Sequence, residues 1–168
     1  MATTAVTIEE YLSISYRPDC DYIDGEVQER NLGEFDHARL QTAIAIYFGA
    51  RRKEWGIRVF AELRVQVAAT RFRVPDVTVL DRDRPVEQII TQPPLAVFEI
   101  LSPEDSLQRL KRKLEDYATM GIAEIWVIDP QDATYYRYQE RQLLRNDSFS
   151  CAPKGIAFPM DRIKECLD

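Results

Sequence analysis

The sequence predicts an α/β fold in which a central mixed β-sheet is flanked by helices, with a hairpin near each end of the chain. Three observations predict it. Residues 95–101, Leu-Ala-Val-Phe-Glu-Ile-Leu, are an almost continuous apolar run, the pattern of a strand buried on both faces. A helical stripe follows, and after it a second apolar run, Ile125-Trp126-Val127-Ile128. Strand, helix and strand in that order form a right-handed βαβ unit with parallel strands. An early segment with an Asp-Gly turn signal and a late pair of short runs, residues 134–138 and 142–145, supply the hairpins. A length of 168 residues suits one domain spanning the chain.

Element by element, Thr7-Ile8-Glu9-Glu10 reads as a capping box that opens a short helix through Leu12. Residues 22–27 read as a tight hairpin, because Asp24-Gly25 supplies the positive φ angles of a type I′ turn. Residues 36–55 read as one long helix: Leu40, Ala43, Ile44, Tyr47 and Phe48 recur at helical spacing and Gly56 stops it. Residues 59–67 alternate Val59, Ala61, Leu63, Val65 and Val67 on one side, as a strand does. Residues 72–80 read as a second strand region, with Pro75 marking an edge, a bulge or a strand end. Residues 82–94 are a polar loop carrying Pro85, Pro93 and Pro94. After the apolar run at 95–101, Ser102-Pro103 reads as the start of a helix, with Leu107, Leu110, Leu114, Tyr117 and Ala118 as its stripe and Gly121 as its end. Residues 134–138 and 142–145 read as a terminal hairpin. The tail after Asn146 is less patterned and is expected to pack loosely.

Composition excludes several classes. Cys20, Cys151 and Cys166 are odd in number, far apart and form no C-x-x-C pair, which argues against a zinc site or disulfide framework and suits a reducing cytoplasm. The N-terminus has no basic region followed by an apolar run, so a signal peptide is not expected. No apolar stretch approaches the roughly 20 residues of a membrane span. The formal net charge of -6 counts against a simple nucleic-acid binder, though not against a local basic face.

Glu99 is the residue that needs a reason. A carboxylate inside the most apolar strand costs several kcal/mol unless it pairs with a cation, accepts hydrogen bonds or binds metal. It lies near the C-terminal end of its strand, where sites in α/β sheets gather. Asp76, just after Pro75, is the second acid. Were its strand beside that of Glu99, two carboxylates would meet at one point and repel unless a proton or cation lay between them. Oxygen ligands of this kind suit Mg²⁺ or Mn²⁺. A helix lysine is the third candidate: Lys113 and Lys111 flank the leucine stripe on opposite sides, and helix geometry admits either.

Several separate motifs, in order, resemble the Uma2 family of the PD-(D/E)xK nuclease superfamily. They are Phe72-Arg73-Val74-Pro75-Asp76-Val77, then Val97-Phe98-Glu99-Ile100-Leu101-Ser102-Pro103, then Lys113 through Tyr117, then the stretch from Gly121 to Pro130. The hairpin from Tyr22 to Glu26 and His37 at the start of the long helix match as well, so the resemblance runs from Glu10 to about Tyr138. It implies a restriction-endonuclease-like core and a Mg²⁺-dependent DNA endonuclease in the cytoplasm, with a homodimer by analogy. It also implies that Asp76 and Glu99, with the Ile100 carbonyl, hold the metal and that Lys113 is the catalytic lysine. A standard (D/E)xK signature would put lysine at position 101, which is Leu101 here; the family pattern places it on the following helix instead.

Other readings compete. Glu62 is a second-tier acid or a structural residue, and His37 a ligand or merely a helix-start residue. Lys111-Arg112-Lys113 reads equally as a basic patch against a nucleic-acid backbone. Asp129 before Pro130 reads as a turn residue. Tyr135, Tyr136 and Tyr138 read as hairpin packing or a dimer contact. The acidic charge and Leu101 favour a catalytically inactive relative that binds nucleic acid or regulates a partner.

Overall fold

A computed structural model describes residues 5–31 and 33–167. Helix α1 (Ile8–Ser13) opens with the expected capping box: the Thr7 side chain accepts from Glu10 N, and the Glu10 carboxylate accepts from Thr7 N. Strands β1 (Asp21–Ile23) and β2 (Glu26–Gln28) form the expected hairpin, with Asp24 and Gly25 at φ 51° and 100°. They join β5 (Arg71–Arg73) and β4 (Val65–Ala68) in a four-stranded sheet ordered β2-β1-β5-β4.

The main sheet has six strands in the order β10-β9-β8-β7-β6-β3. These are β3 (Ile57–Ala61), β6 (Val77–Asp81), β7 (Ala96–Ile100), β8 (Glu124–Asp129), β9 (Thr134–Gln139) and β10 (Gln142–Arg145). Only β7 and β8 run parallel, joined through α4 (Leu107–Met120), so the sheet is mixed as expected. Helix α2 (Phe35–Ala50) covers one face through Leu40, Ile44 and Phe48 against Val77, Phe98 and Trp126. Helix α4 covers the other through Leu114 and Tyr117 against Val97, Ile125 and Val127. No helix among the described residues is long and apolar enough to cross a membrane.

Four sequence expectations are corrected. The helix expected over residues 36–55 breaks at Arg51 into α2 and a short α3 (Arg52–Trp55), which ends on Gly56 in the left-handed region at φ 62°. The strand expected at 59–67 breaks in two, and its halves enter different sheets; the region at 72–80 also divides between two sheets, at Pro75, where a strand end is among the expected readings. One break is at Glu62, at φ 53°, whose N–H donates to the Asp76 carbonyl. The other is at Val74-Pro75-Asp76, where Val74 N donates to Asp21 instead of to a ladder. Apolar alternation carries across such a crossing unchanged, so it cannot reveal that the chain has changed sheets. The helix expected from Ser102-Pro103 begins at Leu107, capped by Ser106 Oγ accepting from Arg109 N, and Leu107 is exposed rather than on the stripe. The tail is not loose. Strands β11 (Ser148–Cys151) and β12 (Ile156–Pro159) pair, and Phe149, Phe158, Met160 and Ile163 are buried in the α2-side core.

Candidate functional site

The geometry of the site follows from the register of β6 on β7. Val77 pairs with Phe98 and Thr78 with Val97 in antiparallel order, so one further step sets Asp76 level with Glu99. Pro75 ends the regular strand there, which frees the Asp76 side chain to turn toward β7. Asp76 Oδ2 accepts from Ile100 N at 2.7 Å, a backbone donor that an unbroken strand would have used in the ladder. Glu99 shares its face with Val97 and points at α4. Helical spacing carries Lys113 and Tyr117, four residues apart, to the same point. Lys113 Nζ donates to Glu99 Oε2 at 2.8 Å and Tyr117 Oη to Glu99 Oε1 at 2.6 Å. Lys111 lies exposed on the same helix, so the structure places Lys113, and not Lys111, on the acid.

Further charges complete the ring around the acids. Arg30 Nη2 donates to Asp76 Oδ1 at 2.6 Å, and His37 Nε2 lies 3.3 Å from Asp76 Oδ2. Gln41 Nε2 donates to the Asp76 carbonyl at 2.9 Å. Asp21 Oδ2 is 4.0 Å from Lys113 Nζ and accepts from Arg73 Nη1 at 3.1 Å, while Arg73 also pairs with Asp116. Asp116 in turn accepts from Arg71, which is held by Asp24 in the β1–β2 turn. A chain of alternating charge thus ties the N-terminal hairpin to α4 and to Glu99. Glu62 stands apart: it is 3.6 Å from Arg30, and its side chain is 45% exposed.

These contacts set the protonation states. Burial pushes Glu99 up to about 7, against the pull of the Lys113 ammonium. Burial would also raise Asp76, but the His37 hydrogen bond and the Arg30 and Lys113 charges hold it below the usual carboxylate range. Burial alone would lower Lys113 and His37; Asp21 and Glu99 outweigh it at Lys113, and Asp76 outweighs it at His37, so both stand raised.

Asp21, Arg30, His37, Asp76, Glu99 and Lys113 all line one cavity of about 70 Å³, together with Ile100 and Arg109. No group of three or more His, Cys, Asp or Glu side chains converges as a closed metal cage among the described residues. Two carboxylates beside a polar cavity fit a cation that keeps much of its water, as Mg²⁺ does, and do not fit a four-ligand structural zinc. The buried Nδ1 of His37 has no hydrogen-bond partner among the described residues.

Of the residues singled out in the sequence, the structure brings Asp76, Glu99 and His37 to the cavity, with Lys113, which the family resemblance chose over Lys111, and leaves Glu62 outside it; Arg30, Asp21, Arg73 and Asp116 were missed. Tyr117 was taken for core packing alone. Arg30 and Asp21 flank a short hairpin whose docking on the main sheet leaves no periodic trace. Arg73 and Asp21 did carry one signal: each is a charge beside apolar strand residues, the same anomaly that singled out Glu99.

The chain is similar to known proteins in sequence and in fold. The profile of the family Uma2, described as "Putative restriction endonuclease", matches residues 8–151. Among solved structures, the chain is similar to one described as a putative nuclease belonging to DUF820, from Anabaena variabilis. The TM-score is 0.79 at 20% sequence identity, over 97% of this chain and 99% of that one. No curated protein matches.

Proposed function

The chain belongs to the Uma2 family, and from that premise and the geometry of the cavity we propose that it is a metal-dependent nuclease that hydrolyses phosphodiester bonds in DNA. One observation carries the reading: register sets Asp76 and Glu99 level across β6 and β7, facing one polar cavity, with Lys113 on Glu99. The choice of DNA rests on the description of the family as restriction endonucleases.

Asp76 and Glu99, with the carbonyl of Ile100, are the groups that would hold Mg²⁺ or Mn²⁺. When bound, such an ion polarises a phosphate oxygen and acidifies a water. The protein's own groups do the rest. Arg30 and Arg109, both lining the cavity, bind and orient the anionic backbone. Lys113 holds the attacking water by hydrogen bonding and stabilises charge growing on the phosphoryl oxygens. Tyr117 fixes the Glu99 rotamer from the side away from Lys113. Arg73 and Asp21 hold Lys113 in place.

A plasmid-nicking assay tests the reading. Wild-type protein nicks supercoiled plasmid with Mg²⁺ and stops when EDTA is added, and Glu99→Ala abolishes nicking while circular dichroism stays unchanged. Nicking that survives Glu99→Ala means the site is misassigned. The competing reading, an inactive relative that binds nucleic acid or a regulatory partner, draws on the pairing of each acid with a protein cation, Arg30 and Lys113. Calorimetric titration separates the two: no Mg²⁺ or Mn²⁺ binding with both acids intact leaves only the inactive relative.

A further inference from the structure

Beside the site lies a second cavity of about 360 Å³, lined by Tyr16, Arg17, Pro18, Cys20, Glu29 and Arg30. Arg30 lines both cavities and forms the wall between them. Its guanidinium is committed to Asp76, so the wall is fixed.

Behind Tyr16, the one aromatic among the described residues that line this cavity, stands an equally fixed row of rings. Tyr22, Tyr11 and Tyr16 follow one another as a row of rings, with centroids 5.0 Å and then 5.6 Å apart and planes inclined by 28° at each step. Tyr11 is fully buried and donates to the Cys20 carbonyl at 2.6 Å. Tyr22 donates to the Val6 carbonyl at 2.7 Å. The Arg64 guanidinium lies 4.6 Å from the Tyr11 ring and 6.0 Å from that of Tyr16, pinned by two bonds to Asp19. Tyr16 is the half-buried end of the row, and among the described rings it touches Tyr11 alone. The row therefore stops at a ring that lines an open cavity, one side chain away from the acids.

We propose that this cavity takes an unstacked nucleobase, which continues the row of rings on Tyr16 while its own phosphate lies at Arg30 and the acids. The inference rests on the nuclease reading and adds a substrate class to it: a strand with at least one unpaired or flipped nucleotide. Every base has a π face, so such a platform accepts any sequence, whereas a fully paired duplex buries its bases and cannot use it. The exposed Arg17 on the rim supplies a cation for the neighbouring phosphate.

The test is a pair of binding titrations with Ca²⁺ in place of Mg²⁺. One probe is a short single-stranded oligonucleotide carrying a single 2-aminopurine, read by fluorescence quenching. The other is a fully paired duplex of the same sequence, read by anisotropy. Tyr16→Ala is expected to weaken the single strand about tenfold and to abolish the quenching, while duplex affinity changes less than twofold. Tyr16→Phe keeps both signals. Tyr16→Leu, which retains apolar bulk without a ring, behaves like Tyr16→Ala with an unchanged melting curve. The proposal is overturned if Tyr16→Ala binds the single strand as wild type does, or if single strand and duplex weaken equally. Wild-type protein that binds neither probe brings down the nuclease reading too; wild type that binds both, with Tyr16→Ala changing neither, removes only the nucleobase cavity.

Discussion

Strand β7 sends neighbouring side chains to opposite faces, and the two faces handle burial differently. Phe98 is fully buried against Phe48, 5.3 Å away, and Phe149, 6.0 Å away, in an aromatic layer extended by Phe158 and Trp126. Glu99, the next residue, is almost as deep at 6% exposure, yet it meets Lys113 and Tyr117. On the first face burial is favourable in itself, because each ring removes apolar area from water. On the second it is tolerated only because each charge has a partner, and removing one partner strands the other. The surroundings of Phe98 are therefore where the fold draws stability, as is the apolar cluster under α4, and the pocket around Glu99 is where stability has been given up for something else.

The largest expected effect tests what that something is. Glu99→Gln keeps the shape of the side chain and one acceptor oxygen for Lys113, with its amide NH2 donating to the Tyr117 hydroxyl in place of the bond Tyr117 donates to Glu99, but loses the charge. Mg²⁺-dependent nicking is expected to fall by at least about 10³-fold, or ~4 kcal/mol in the barrier. A variant that still nicks at wild-type rate breaks the comparison, because the charge would then serve structure. Phe98→Ala is the mirror experiment. It should lower unfolding free energy by about 3–5 kcal/mol, read by urea titration, and leave metal affinity in the folded protein within a fewfold of wild type.

A pH series sharpens the contrast further. Glu99 in the fold is raised to about 7 from an ordinary 4.5, so the folded state keeps a proton that the unfolded chain has already released. Its contribution to stability is full below about pH 4.5 and is lost as pH rises to about 7. Asp76 runs the opposite way: held low, it contributes above its unfolded value and is lost as pH falls. His37, held high, contributes below its unfolded value and is lost as pH rises through its folded one. Subtracting the curve of Glu99→Gln from that of wild type, by urea unfolding at pH 5 and pH 8, isolates Glu99. A difference that does not change between the two pH values refutes the assignment. Phe98→Ala should shift the whole curve down without changing its slope.

The aromatic face and the acids differed in how legible they were. The apolar run of β7, the stripe of α4 and the run of β8 follow local periodicity, so the parallel βαβ unit could be read directly. Glu99 was legible because a charge in an apolar strand is locally anomalous, and Asp76 because Pro75 marks the bend beside it. The break at Glu62 was not legible, and Pro75 marked an edge, a bulge or a strand end without showing that the chain changes sheets there, since alternation survives such a change. The packing of Phe149 and Phe158 was missed as well: β11 and β12 are short strands that, among the described residues, pair only with each other, apart from the main sheet. Arg30 comes to the site only through the docking of one sheet on another, which no local pattern encodes, and Asp21 carried a local anomaly but no sign of which site it joins.

The smallest expected effect lies at Lys111, and it decides how far the charged face extends. Lys111 and Lys113 are two residues apart on α4, so they point about 200° apart around the helix. Lys113 is turned onto Glu99, while Lys111 lies exposed beside Leu107 and Tyr138 at the edge of a separate groove. If the lysines merely formed a basic patch for the nucleic-acid backbone, the two substitutions would cost similar amounts and both would fade at high salt. If Lys113 belongs to the acids, Lys113→Met lowers the cleavage rate by about 10²-fold at any salt concentration. Lys111→Met then changes it by less than about twofold, as expected for a solvated charge. Nicking rates of the two variants, each at low and high salt, make the comparison. Equal losses would move the boundary of the site out to the helix surface and leave Lys113 as one phosphate contact among several.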